Sequence, residues 1–182
     1  MSLASNLKED RKLIALAKKD YRAFGLIYDK YFERIYLFVF KRVGDKDIAG
    51  DICQEAMLKA MHNIRKYEDR GYQFSSWLFR IASNEVNLYF RKSKKNISVS
   101  VDEGSVQAIL TEAKEDPEDN SRQVKLLQLM SEMPSEKVEI IELRFFSGFS
   151  FKEIAEFYGI SEANAKMRLY RLLDKLKKSL TK

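Results

Sequence analysis

Apolar residues recur along this chain at steps of three and four, so the pattern predicts helices nearly throughout and an all-α fold. The longest run follows Asp20, a suitable N-cap, and sets Phe24, Ile27, Tyr31, Ile35 and Phe38 on one side before Gly44 ends it. Asp45 or Asp47 can cap the next helix, which places Ile48, Ile52, Met57, Met61 and Ile64 near one side. Asp51, Gln54, Glu55 and Lys59 fall largely elsewhere on it. A shorter helix, roughly 7–18, precedes both. The period breaks over 66–74, which predicts a loop, and Ser75 or Ser76 then caps a helix running to about Ser93.

From Asn96 to about Arg122 the pattern changes. Ser98, Ser100, Gly104 and Ser105 precede the run Glu115-Asp116-Pro117-Glu118-Asp119, and the segment reads as a mostly flexible acidic linker. Extended, it reaches about 90 Å, and as a coil about 30 Å. Beyond it, helical periodicity resumes over 124–130 and stops before Pro134, and Ser135 caps a helix carrying Val138, Ile141 and Phe145. Ser150-Phe-Lys-Glu153 has the form of a capping box, and the helix it opens ends at Gly159, a natural left-handed position. Ser161 caps the last helix. Two helices joined by a tight glycine turn form the helix-turn-helix pattern. The chain therefore divides into two helical modules, 1–95 and 123–182, joined by the linker 96–122.

Charge sharpens this division. Residues 1–95 hold 20 Lys/Arg against 12 Asp/Glu, residues 96–122 hold 2 against 7, and residues 123–182 hold 11 against 8. Two basic blocks around an acidic connector suggest two surfaces that face a polyanion. Wound at about 100° per residue, the last helix gathers Ala165, Leu169, Leu172, Leu173, Leu176 and Leu180 in one arc that must face a core. The opposite arc holds Ala163, Asn164, Met167, Tyr170, Arg171, Asp174 and Lys178, flanked by Lys166 and Arg168. Asn, Lys and Arg read purine edges in the major groove, and Met and Tyr contact thymine methyls.

On the helix over 76–95, apolar residues cover more than half the circumference, and a narrow stripe collects Arg80, Ser83, Asn84, Asn87, Arg91, Lys94 and Lys95. Glu85 and Lys92 fall inside the apolar sector. The preceding loop interleaves Tyr67, Tyr72 and Phe74 with Lys66, Arg70 and Gln73. Aromatics beside cations can stack an unpaired base. They can equally cover a core, and Phe74 and Trp77 suit that role.

These segments resemble regions 2 and 4 of the sigma-70 family in its smallest, extracytoplasmic-function (ECF) branch. The resemblance rests on Asp47-Ile-Ala-Gly-Asp51-Ile-Cys-Gln54-Glu55, on Phe74-Ser-Ser-Trp77-Leu-Phe-Arg80-Ile-Ala-Ser-Asn84, and on Met133-Pro134 with Glu142-Leu-Arg144. It continues through Phe151-Lys-Glu153-Ile-Ala155-Glu-Phe-Tyr-Gly159-Ile-Ser161 and Lys166-Met-Arg168-Leu-Tyr170-Arg171. It implies a sigma factor that directs core RNA polymerase to promoters and helps melt them, with sigma region 2 over 1–95 and region 4 over 123–182. Asp51, Gln54 and Glu55 would dock on the coiled coil of the largest polymerase subunit, and region 4 would meet the polymerase flap. Tyr67, Arg70, Tyr72 and Phe74 would capture a flipped base of the −10 element, while Arg80, Asn84, Asn87 and Arg91 contact bases just upstream. Asn164, Lys166, Met167, Arg168, Tyr170 and Arg171 would read the −35 element as duplex. An anti-sigma protein is an expected further partner. Gly50, Leu88, Asn164, Ala165 and Met167 depart from the family's usual residues, which bears on the promoter sequence and not on the class.

Catalysis finds no support. The chain has one His, His62, and one Cys, Cys53, and no CxxC, HExxH or P-loop pattern, so the reading is a non-enzyme without metal or cofactor. A lone cysteine, an N-terminus without a signal-peptide pattern and the lack of a spanning apolar run predict a cytoplasmic protein with no membrane insertion. The competing reading is a helix-turn-helix regulator that binds duplex operator DNA without polymerase.

Overall fold

The computed structural model describes residues 3–69, 73–93 and 103–180, and among these every regular element is helical. They form two units, residues 1–40 with 45–92 and residues 41–44 with 93–182. None of the described helices is long and apolar enough to cross a membrane.

The first unit packs α1 (Leu3–Lys19), most of α2 (Phe24–Val43), α3 (Lys46–Asn63) and α4 (Phe74–Ser93). Asp20 accepts from the Arg22 amide at 2.9 Å and opens a single 3-10 turn that runs into α2. Gly44 ends α2 with φ of 70°, a conformation that costs a residue with a Cβ. Of the two possible caps for α3, Asp45 serves: its carboxylate accepts from Asp47 N at 2.9 Å and Ile48 N at 3.0 Å. All five apolar residues expected on α2 are buried. Asp10 fastens α1 to α2, accepting from the Tyr31 hydroxyl at 2.7 Å and from Lys30 at 2.9 Å.

Two expectations shift in this unit. The buried face of α3 is Ala49, Ile52, Cys53, Ala56, Met57 and Ala60, and Ile48 and Met61 lie only partly covered. Small side chains at 49, 53, 56 and 60 let neighbouring backbones approach, so the helix rotates toward them. Burial pushes the Cys53 thiol up to about 12, so it packs as a small apolar group. Neither Ser75 nor Ser76 caps α4. The helix begins at Phe74, both serines are buried in its first turn, and Ser76 N donates to the Gln73 carbonyl at 3.1 Å.

The second unit contains α5 (Glu103–Glu112), α6 (Asn120–Ser131), α7 (Ser135–Ile141), α8 (Phe151–Tyr158) and α9 (Glu162–Leu180). α5 corrects the expectation of a mostly flexible connector: within 96–122, residues 103–112 are helical. Val106, Ile109, Leu110 and Ala113, at steps of three, one and three, are all buried. Asp119 caps α6, accepting from Ser121 N at 2.9 Å and Arg122 N at 3.2 Å, so this helix starts four residues earlier than its apolar pattern indicates. Ser135 is the first residue of α7 and not its cap, a position held by Pro134, and after Ile141 the backbone widens into a π turn over Glu142–Phe146.

The helix-turn-helix forms as its sequence predicts. Ser150 Oγ accepts from Glu153 N at 3.2 Å, and Glu153 Oε2 accepts from Ser150 N at 2.8 Å. Gly159 adopts φ 66° and ψ 39°, and its N–H and that of Ile160 close the end of α8. Ser161 Oγ accepts from Asn164 N at 3.2 Å, capping α9.

Candidate nucleic-acid interface

On α4, Arg80, Asn84, Asn87 and Arg91 follow one another at steps of four, three and four and share one stripe. Arg80, Asn84 and Arg91 are exposed and Asn87 is half-buried. Along one edge of that stripe lies a cavity of about 330 Å³. Its apolar surface comes from Tyr67, Trp77 and Ile81, and its polar rim from Lys59, Asn63, Lys66, Asn84 and Glu85. The rings are held from beneath: Phe74 packs edge-on to Tyr67 at 5.1 Å between centroids, and Trp77 lies 5.1 Å from Tyr67 and 5.4 Å from Phe74. Lys18 of α1 donates to the Tyr67 carbonyl at 2.5 Å, fixing the start of the loop.

Phe74 is 1% exposed, which corrects its expected direct contact with DNA; it supports the cavity from the core. Tyr67 is also largely covered but lines the cavity. Arg70 and Tyr72 lie outside the described residues. The rim contains three residues that sequence reasoning passed over: Lys59, Asn63 and Glu85. Lys59 donates to Glu85 at 2.6 Å and pairs with Glu55 at 3.3 Å, and the Glu85 bond in particular raises its pKa. Asn63 donates to the Lys59 carbonyl at 2.8 Å. Glu85 was the acid that broke the apolar sector of its helix, and that mismatch was the available signal.

A second surface lies on α3. Asp51, Gln54 and Glu55 are all exposed, and Leu58, at the next step on the same side, is 48% exposed. An uncovered leucine beside acidic groups suits a protein partner with an apolar and basic face.

In the second unit α9 buries all six members of its expected core arc. Lys166, Met167, Arg168, Tyr170 and Arg171 are exposed, and Asn164 is half-buried, so the six expected reading residues lie outside the core together. Arg168 Nε donates to the Asn164 amide oxygen at 3.2 Å, and Lys166 pairs with Glu162 at 3.1 Å. A groove of about 360 Å³ runs beside them, with Ile140 and Leu172 in its floor and Lys137, Arg168, Arg171 and Lys175 around it. The Tyr170 hydroxyl donates to Glu112 of α5 at 2.6 Å, a bond that raises its pKa, and Lys177 pairs with Glu115 at 3.1 Å. The acidic segment after α5 is thereby tied to the same helix that carries the reading face.

Each unit thus presents a cationic and amide-rich helix face, one beside a base-sized aromatic cavity and the other on a helix-turn-helix, which defines a nucleic-acid-binding protein. Residues 27–96 match the family model for sigma-70 region 2, and residues 123–176 that for sigma-70 region 4. The ECF RNA polymerase sigma factor SigM of Bacillus subtilis is 31% identical over 83% of this chain and 91% of its own length. SigW of the same organism is 30% identical over 93% of this chain and 95% of its own. For BldN of Streptomyces coelicolor the identity is 31%, and this chain spans 60% of that longer protein. The fold is similar to that of CnrH, solved in complex with the cytosolic domain of CnrY, with a TM-score of 0.63 at 22% identity over 94% of this chain and 97% of that one. The chain belongs to the sigma-70 family of RNA polymerase sigma factors, in its ECF branch.

Proposed function

We propose that this sigma factor divides promoter recognition between its units: region 2, over 1–95, captures separated strands, and region 4, over 123–182, reads duplex DNA. The segment 96–122 connects them. The observation that carries this reading is the aromatic cavity bordering the Asn84 stripe. A helix-turn-helix regulator of duplex operators has no use for a pocket of that size lined by Trp77 and Tyr67. A flipped −10 base entering it gains a stack of about 1–3 kcal/mol. Opening one base-pair step costs about 1.4 kcal/mol. Capture of one or two bases therefore offsets the first steps of melting, and polymerase carrying this factor holds the open state.

Asn84, Arg80, Asn87 and Arg91 contact the strand just upstream of the captured base, and Arg70 and Tyr72 take part in its capture. Asn164 to Arg171 enter the major groove of the −35 element: Arg171 and Arg168 donate to guanine edges, Asn164 reads adenine, and Met167, 44% exposed, meets thymine methyls. Asp51, Gln54, Glu55 and Leu58 dock on the coiled coil of the largest polymerase subunit, and region 4 meets the flap. The protein acts in the cytoplasm without chemistry of its own, phosphodiester bond formation belonging to the polymerase. An anti-sigma protein is the further partner, and it covers one or both surfaces.

The test combines purified core polymerase and this chain on duplex and premelted promoter templates. Promoter-specific initiation, with premelting relieving variants of the cavity but not variants of α9, is the expected result. Tight operator binding by the chain alone, with no effect on polymerase, would overturn the assignment.

A further inference from the structure

We propose that Glu85, charge-balanced by Lys59, sets the base preference of the region 2 cavity by accepting a hydrogen bond from an exocyclic amine, so that cytosine is held in preference to thymine. This rests on the base-capture reading above.

Glu85 projects from α4 and Lys59 from α3, and their 2.6 Å contact forms part of the rim. The Glu85 side chain is 12% exposed, so its charge is partly withdrawn from water and stands against a wall of Trp77 and Ile81. The Lys59 bond uses Oε2. Oε1 takes no hydrogen bond from the described residues, so an acceptor remains at the edge of a cavity otherwise rimmed by amides and ammonium groups. An ionised carboxylate accepts and cannot donate. Cytosine and thymine are of similar size and differ at this edge: cytosine offers an N4 amine where thymine offers the O4 oxygen. Cytosine also places the N3 acceptor beside that amine, matching a carboxylate with an ammonium group at its side. With thymine, an oxygen faces Glu85 and two acceptors oppose each other without a proton between them. Neither the aromatic stack nor a phosphate contact makes this distinction, because both accept any base.

The test uses holoenzyme reconstituted with the full chain and promoter DNA whose non-template strand is randomised across the melted stretch, followed by abasic substitution at each position. The expected result is one position where an abasic site weakens the open complex and where cytosine exceeds thymine by roughly tenfold or more. Glu85→Gln, which can donate as well as accept, should bring cytosine and thymine to within about twofold there while binding of the duplex −35 element stays unchanged. Lys59→Met keeps the carboxylate and loses the donor that faces cytosine N3, so the cytosine advantage should shrink without vanishing. If Glu85→Gln folds poorly, Glu85→Ala, which removes the acceptor outright, should likewise equalise the two pyrimidines, and a cytosine preference that persists in it overturns the assignment. Cytosine preference that persists in Glu85→Gln, or equal use of the two pyrimidines by the native chain, overturns the assignment to Glu85. If abasic sites are harmless at every melted position, base capture itself fails, and this inference with it.

Discussion

The two units present concave surfaces of similar volume and different lining, a groove of about 360 Å³ bordered by Lys137, Arg168, Arg171 and Lys175 in region 4 and a cavity of about 330 Å³ walled by Trp77 and Tyr67 in region 2. Beside its groove, region 4 presents side chains outward from a helix: Arg168, Arg171 and Met167 are exposed, and Asn164 steadies Arg168 at 3.2 Å. Such a surface can meet only bases that are already arranged in a DNA groove. In region 2 the aromatic wall of Trp77 and Tyr67 is set against the buried Phe74 and closed at one side by the Lys59–Glu85 pair. An aromatic wall has nothing to stack against until a base leaves the duplex. Under the proposed division of labour, this difference lets one small chain favour the closed complex with one unit and the open complex with the other, each surface being complementary to a different state of the DNA.

Substitutions in the cores are expected to have the largest effects. Leu110 of α5 is fully buried. If α5 is an integral part of the region 4 unit, Leu110→Ala should destabilise that unit by about 2–5 kcal/mol, measured by denaturant unfolding. A change below about 0.5 kcal/mol would return α5 to the status of a tether and remove one contrast between the units.

Next come the paired variants that separate the two surfaces. Trp77→Ala removes the main wall of the cavity and should weaken the open complex by about 1–3 kcal/mol while leaving −35 duplex affinity intact, as read by footprinting on duplex and premelted templates. Arg171→Ala should do the reverse, costing about 1–3 kcal/mol of duplex affinity and relaxing preference at the base pair it contacts. Equal sensitivity of both variants to premelting would show that the units do not divide the work by DNA state.

The helix-turn-helix was legible because its signals are local. Ser150, Glu153, Gly159 and Ser161 each act within one turn, and the apolar arc of α9 is so regular that all six of its members are buried. α5 was hidden by composition: Glu103, Glu112, Glu115 and Asp116 give the segment the character of a linker, while Val106, Ile109, Leu110 and Ala113 form a stripe that needs partners distant in sequence. The cavity was half legible. Its aromatics and Asn84 stood out, but Lys59 and Asn63 lie on a different helix and join the site only when α3 packs beside α4. For Phe74 the residue pattern already suited the core, where it lies 1% exposed, and the base contact came only from the resemblance.

The smallest expected effect concerns the frames on which the surfaces stand. Ser150→Ala removes the acceptor for Glu153 N and the hydroxyl that donates to Glu153 at 2.7 Å, and typically costs about 1 kcal/mol. Amide exchange in the first turn of α8 should then accelerate about fivefold, with little change in α4. Asp45→Ala, which strips the cap from α3, should produce the mirror image: faster exchange at Asp47 and Ile48 and little change in α8. Because α3 carries both the Asp51–Leu58 face and the Lys59 side of the cavity, Asp45→Ala should weaken polymerase docking and base capture together. Ser150→Ala should affect duplex binding alone. A loss confined to docking in the Asp45 variant would show that Lys59 is held by Glu85 and not by the helix that bears it.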